Sequence, residues 1–127
     1  MARIIIAAKE SPVRKAIRAM LIGQGHQIRC VEHGGAALAA LNEEPADLII
    51  ADAKMPVMDG VALALASKDE DDKRPVLLMA ENPRLADTLQ ALKVFVDGVI
   101  AKPFSVQALR REVTRLLPIE ADQSEAA

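Results

Sequence analysis

Three short stretches carry side chains able to do chemistry together: Lys9-Glu10 after the apolar run IIIAA, Asp52 after LIIA, and Lys102 in AKPF. Asp52 offers a carboxylate that can act as nucleophile or metal ligand. Glu10 adds a second acid, and the two lysines offer ammonium groups that pair with anionic oxygens. A phosphoryl group arriving at a carboxylate brings anionic oxygens against an anion, so positive charge must sit beside the acceptor. The question this set raises is whether Asp52 accepts phosphate or the site keeps only the outline of that chemistry. The open question is Lys9, a cation where such a site would want another acid.

These residues are far apart in sequence, so the elements around them must bring them together. The continuous β-branched run Ile4–Ala8 predicts a strand buried on both faces, Leu48–Ala51 predicts a further buried strand, and Ile28–Val31, Val76–Met79 and Gly98–Ala101 read as three more strands. Helix-period segments alternate with them. Ser11-Pro12 reads as N-cap and first helical residue, followed by the stripe Val13, Ile17, Met20 and Leu21, with Gly23 and Gly25 ending the helix. Gly34-Gly35 opens a helix through Leu41, and a third runs from about Val57 to Lys68. Leu85, Leu89 and Leu92 stripe a fourth that begins near Pro83. Ser105 caps the fifth, Phe104 is placed to staple onto Leu109, and Val106, Leu109, Val113, Leu116 and Leu117 form its expected buried face.

Five strands alternating with five helices imply an α/β fold, a doubly wound parallel sheet with helices on both faces. Ligands of such sheets bind outside the carboxyl ends of the strands. Lys9-Glu10, Asp52 and Lys102 all fall at those ends.

The chain has 127 residues, which fits one domain, expected over 1–118 with a polar tail at 119–127. It holds no Trp or Tyr and two Phe, which argues against aromatic platforms for bases or flavins. A formal net charge of −2 provides no global basic field for nucleic acid or anionic lipid. The acidic run DEDDKR at 69–74 reads as a solvated loop. Cys30 is the single cysteine, which rules out an internal disulfide and reads as a small buried hydrophobe in a reducing, cytoplasmic setting. No apolar stretch reaches the roughly 20 residues of a membrane span. His26 and His33 lie in turns flanking the second strand, and Asp59-Gly60 shapes the loop after the third.

With those elements in place, two motifs carry a resemblance. Asp52-Ala53-Lys54-Met55-Pro56-Val57-Met58-Asp59-Gly60 and Ala101-Lys102-Pro103-Phe104, with SPVRK after the first strand, make the chain resemble the receiver (CheY-like) domain of bacterial response regulators over about residues 2–117. The resemblance implies a flavodoxin-like sheet of order 2-1-3-4-5. It implies that Asp52 is the phosphoacceptor of a two-component phosphorelay and that Lys102 pairs with the phosphoryl oxygens. It further implies Mg²⁺ held by Glu10, Asp52 and the carbonyl of Lys54, and a cis bond before Pro103. Implied partners are a histidine kinase or phosphotransferase, and a downstream protein at the face of the fourth helix, fifth strand and fifth helix. That face also allows a homodimer. The domain is expected to be no enzyme apart from self-catalysed phosphoryl acceptance and autodephosphorylation.

Three positions depart from the pattern. Lys9 replaces the first acid, Ala80 stands where a Thr or Ser would bond the phosphoryl group, and Val99 replaces an aromatic switch residue. Lys9, Glu10, Asp52 and Lys102 sum to zero charge, against two net negative charges for three acids and a lysine. A unit-charge pair about 4 Å apart is worth roughly 4 kcal/mol at an effective dielectric near 20. A loss of only ~3 kcal/mol would weaken Mg²⁺ about 100-fold. Lys9 then has three open roles: pairing with Asp52, lending charge to an incoming phosphoryl group, or pointing into solvent. Two functions stay open with it: a stand-alone receiver that accepts phosphate, and a degenerate receiver acting as a phosphorylation-independent interaction module. A phosphohydrolase would need an acid at Lys54, and an FMN carrier a phosphate loop that Ala8-Lys9-Glu10-Ser11 lacks. Lys54 and Glu81 flank the expected phosphate.

Overall fold

A computed structural model describes residues 2–68, 74–91 and 97–117. Ten elements alternate: β1 (Arg3–Ala7), α1 (Ser11–Ile22), β2 (Gln27–Val31), α2 (Gly34–Glu43), β3 (Leu48–Asp52), α3 (Gly60–Ser67), β4 (Val76–Ala80), α4 (Pro83–Gln90), β5 (Gly98–Ala101) and α5 (Val106–Leu116). The five strands form one parallel sheet in the order β2-β1-β3-β4-β5, the flavodoxin-like arrangement expected. Most of the acidic run at 69–74, Leu92 and the segment 118–127, including the expected domain boundary, lie outside the described residues.

The two-residue period of the strands divides the core. Ile4, Ile6, Leu48, Ile50, Leu77, Met79 and Ile100 face α1 and α5, where they meet Ile17, Leu21, Leu109 and Val113. Ile5, Ala7, Ile49, Ala51, Val76, Leu78 and Ala80 face the other way, onto Ala37 and Ala40 of α2, Leu63 and Ala64 of α3, and Ala86 and Leu89 of α4. β3 and β4 are buried along their whole length, which is why they read as unbroken apolar runs.

Several local expectations need correction. Glu10, not Ser11, is the N-cap of α1, and it caps with no side-chain hydrogen bond; Ser11 is already helical. α3 begins at Gly60 instead of near Val57, because the Asp59 carboxylate accepts from the N–H of Ala62 at 2.8 Å and so fixes the start there. α2 runs on to Glu43, past Leu41. Val106 is exposed at the first turn of α5, where it faces away from the core that holds Leu109 and Val113. Ser105 caps α5 as expected, accepting from Ala108 N–H at 3.0 Å, and Phe104 packs on the cluster that includes Leu109. Cys30 is half-buried, and burial pushes its thiol pKa up, which lowers its reactive thiolate fraction.

Candidate functional site

The carboxyl ends of β1, β3, β4 and β5 open into a cleft of about 640 Å³. Lys9, Glu10, Asp52, Lys54, Met79, Glu81 and Lys102 line it, together with Val13, Met55 and Pro56. The residues picked out at the strand ends are therefore gathered at one rim.

Asp52 is the last residue of β3, opposite Met79 of β4. It is 8% exposed, the only acid among the buried described residues. By strand alternation it projects to the side of Leu48 and Ile50, toward α1 and α5. Lys102 follows β5 with the same parity as Ile100, and its N–H continues the ladder onto the carbonyl of Ala80 at 2.8 Å. Its ammonium therefore meets Asp52: Lys102 Nζ donates to Asp52 Oδ1 at 2.6 Å. The peptide bond between Lys102 and Pro103 is cis.

Lys9 is exposed at the mouth of the cleft, beside Glu10. Of the three roles open to Lys9, pairing with Asp52 does not occur: the ion pair of Asp52 is with Lys102, and among the described residues Lys9 has no carboxylate within ion-pair distance. Lys102 reaches Asp52 across β4, to which its own N–H and the end of β3 are both tied, whereas Lys9 lies in the turn beyond β1. That turn is itself fixed. Arg14, one turn into α1, donates through Nη1 to the carbonyls of Ala8 at 2.7 Å and Lys9 at 2.9 Å. Sequence reasoning did not find this clamp, because a backbone acceptor leaves no signature in residue type.

The far wall is the loop between β3 and α3. Ala53 N–H donates to Met79 O at 2.9 Å and Gly60 N–H closes the loop onto Ala53 O at 3.1 Å. In between, Val57 has φ 68°, left-handed for a β-branched residue, and is 80% exposed. Met58 abuts the N-terminus of α2, where Gly34 N–H donates to its carbonyl at 3.3 Å; a Cβ on Gly34 would lie 2.5 Å from that oxygen. His33, missed as a cap, accepts the N–H of Ala36 through Nδ1 at 3.0 Å. Lys54 and Glu81 face each other across the cleft at 4.0 Å, both exposed. Because Val57 buries little, Val57→Asn should remove backbone strain at small packing loss, raising stability by about 1 kcal/mol. Far-UV circular dichroism melts read this directly.

Of the switch positions, Ala80 is fully buried against the α2–α4 side, and Val99 packs on the same cluster. Met79 and Glu81, not Ala80, line the cleft, so no hydroxyl reaches it from the end of β4.

The model of the response regulator receiver domain matches residues 4–114. The chain belongs to that family. Receiver domains serve two-component systems, take phosphoryl groups from histidine kinases or phosphotransferases, and normally do so with Mg²⁺. This receiver domain is 32% identical to the signal receiver domain of a signal transduction histidine kinase from Syntrophus aciditrophicus, with a TM-score of 0.81 over 92% of this chain and 90% of that one. The chemotaxis protein CheY4 of Vibrio cholerae shares the fold at 24% identity, TM-score 0.82, over 92% of this chain and 99% of that one. Among curated relatives, the regulatory protein AtoC of Escherichia coli K12 is 27% identical over 97% of this chain and 27% of its own length. The chain spans between about a quarter and about half of the curated relatives it matches. No helix among the described residues is long and apolar enough to cross a membrane.

The donors available to a metal in this receiver domain are the carboxylates of Glu10 and Asp52 and the carbonyl of Lys54. The ammoniums of Lys9 and Lys102 oppose them, and Asp52 already shares one oxygen with Lys102. Among the described residues there is no group of three His, Cys, Asp or Glu suited to a metal. A hard divalent cation is held by anionic oxygens, and this set is one acid short and one cation over. It does not fit a resident Mg²⁺.

Proposed function

We propose that this receiver domain accepts a phosphoryl group on Asp52 in a two-component phosphorelay, through a site altered in its metal and switch positions. The observation that carries the reading is the buried Asp52 carboxylate held by Lys102 at 2.6 Å in an open cleft at the strand ends. Oδ1 is occupied by the ammonium, which leaves Oδ2 to attack phosphorus. With a phosphohistidine donor, the Oδ2–P bond forms as the N–P bond breaks, and the bonding pair stays on the ring nitrogen. Lys102 then neutralises charge on the acyl phosphate, as a preorganised donor does best in a site shielded from water. Glu10 and the Lys54–Glu81 pair border the entry path, where they can orient a hydrolytic water.

The output surface in this reading is the face of α4, β5 and α5. The hydroxyl–aromatic relay is missing at Ala80 and Val99, so any change must travel as movement of backbone or helix. A second reading is supported by the same ion pair. Asp52 is already charge-compensated by Lys102 without phosphate, as a degenerate receiver that works only as a protein-binding module would be.

Incubation with acetyl phosphate followed by intact-mass measurement separates the two. The expected result is a gain of one phosphoryl mass in the native chain and none in Asp52→Asn. No gain with or without Mg²⁺ would leave the binding-module reading in place.

A further inference from the structure

Lys102 is committed to Asp52, while Lys9, at the mouth of the same cleft on a turn clamped by Arg14, has no ion-pair partner among the described residues. Exchanging an acid for a lysine adds two positive charges to the site, which is the charge of one divalent cation. The sum can be followed through the reaction. A phosphorylated aspartate carries about −2. With two further acids, one lysine and Mg²⁺, such a site would carry one net negative charge. Here Glu10, the phosphorylated Asp52, Lys9 and Lys102 also carry one net negative charge. The product state reaches the same balance with no metal.

We propose that Lys9 is a catalytic residue of this site: its ammonium contacts the oxygens of the transferring phosphoryl group and supplies the charge that a divalent cation would otherwise bring. The inference rests on Asp52 being the acceptor and goes beyond it by making acceptance independent of metal. With acetyl phosphate the O–P bond to the acetyl oxygen breaks, its electron pair leaves on acetate, and Asp52 Oδ2 bonds to phosphorus. No proton or oxidant is needed. Lys9 and Lys102 approach the transferred group from β1 and β5, on either side of the β3 terminus that bears Asp52. Their positive charge thus flanks the acceptor, where charge develops as the group arrives. Glu10, exposed beside Lys9, limits the positive excess, so the resting cleft is neutral.

The test uses the whole chain, acetyl phosphate, and either EDTA or Mg²⁺, with Asp52 labelling followed by intact mass in the native protein, Lys9→Gln, Lys9→Asp and Asp52→Asn. The native protein should label in EDTA at a rate that added Mg²⁺ hardly changes. Lys9→Gln should label roughly 100-fold more slowly in EDTA. Lys9→Asp, with the acid restored, should be silent in EDTA and recovered by Mg²⁺. A readout independent of labelling is Mn²⁺ titration by electron paramagnetic resonance, in which Lys9→Asp should bind about 100-fold more tightly than the native chain. Native labelling that requires Mg²⁺, or Lys9→Gln labelling at the native rate in EDTA, overturns the role of Lys9 and leaves Asp52 as acceptor untouched. Absence of labelling in the native chain under both conditions overturns the acceptor reading, and the role of Lys9 falls with it.

Discussion

Gly60→Ala should lower the stability of the domain by about 3 kcal/mol, the upper range for forcing a methyl into a packed interior. A Cβ at this position would lie 2.4 Å from the carbonyl oxygen of Asp52, 2.7 Å from Leu78 Cδ2 and 3.1 Å from Ala53 Cα. Two of these three neighbours are backbone. The Asp52 carbonyl belongs to the end of a fully buried central strand, and Leu78 is itself completely buried, so neither can step aside cheaply. The first turn of α3 must move instead, against its own Gly60–Ala53 hydrogen bond. A melt followed by far-UV circular dichroism should show the midpoint fall by about 10 °C. Gly35→Ala is the milder companion: its nearest neighbours are side-chain atoms, His33 Nδ1 at 3.2 Å and Val57 Cγ1 at 3.3 Å, with no backbone among them. Equal melts for the two variants would mean that α3 is not seated against the end of β3.

Lys102→Met should slow labelling of Asp52 by acetyl phosphate about 100-fold or more, the cost of removing a preorganised charge from the reacting oxygens. Methionine keeps much of the apolar stem and deletes the ammonium, so packing beside β5 changes little. The Asp52 side chain, 11% exposed, is left without its charge partner. Loss of a partner by a mostly buried carboxylate is destabilising, but Lys102 is 30% exposed and solvent screens part of the pair, so about 1 kcal/mol is expected. Lys102→Arg is the informative companion. The guanidinium retains charge but presents a planar fork where a compact ammonium fits, and should recover only part of the rate. Native-rate labelling in Lys102→Met would remove Lys102 from the reaction.

Much of this architecture is legible from residue type because the three central strands are buried on both faces. IIIA, LIIA and VLLM can hardly be anything but interior strands, and once they alternate with helices, the rim that gathers Lys9, Glu10, Asp52 and Lys102 follows from topology. What stayed hidden depends on backbone atoms or on competition between similar side chains. Three lysines line the cleft with Asp52, and the parity of Lys102 with Ile100 places it on the side to which Asp52 projects. The role of Arg14 is written in the carbonyls of Ala8 and Lys9, which every residue possesses. The start of α3 is expected near Val57, whereas the aspartate cap at position 59 sets it later and leaves Val57 in a left-handed turn. The His33 cap had a signal, a polar side chain directly before the helix-opening Gly34-Gly35, yet histidine is not among the preferred capping residues.

The hydrogen bonds around Asp52 make the cleft mechanically lopsided. On one side Lys102 is tied into the ladder of β4, so that wall is anchored to the sheet itself. On the other, the turn from Lys54 to Met58 crosses open solvent with a torsionally loaded valine and rests on the glycine start of α2. A group wedged between the walls would press on the softer one, whose Met58 rests on Gly34, so the start of α2 would feel occupancy of the cleft alongside the α4–β5–α5 face.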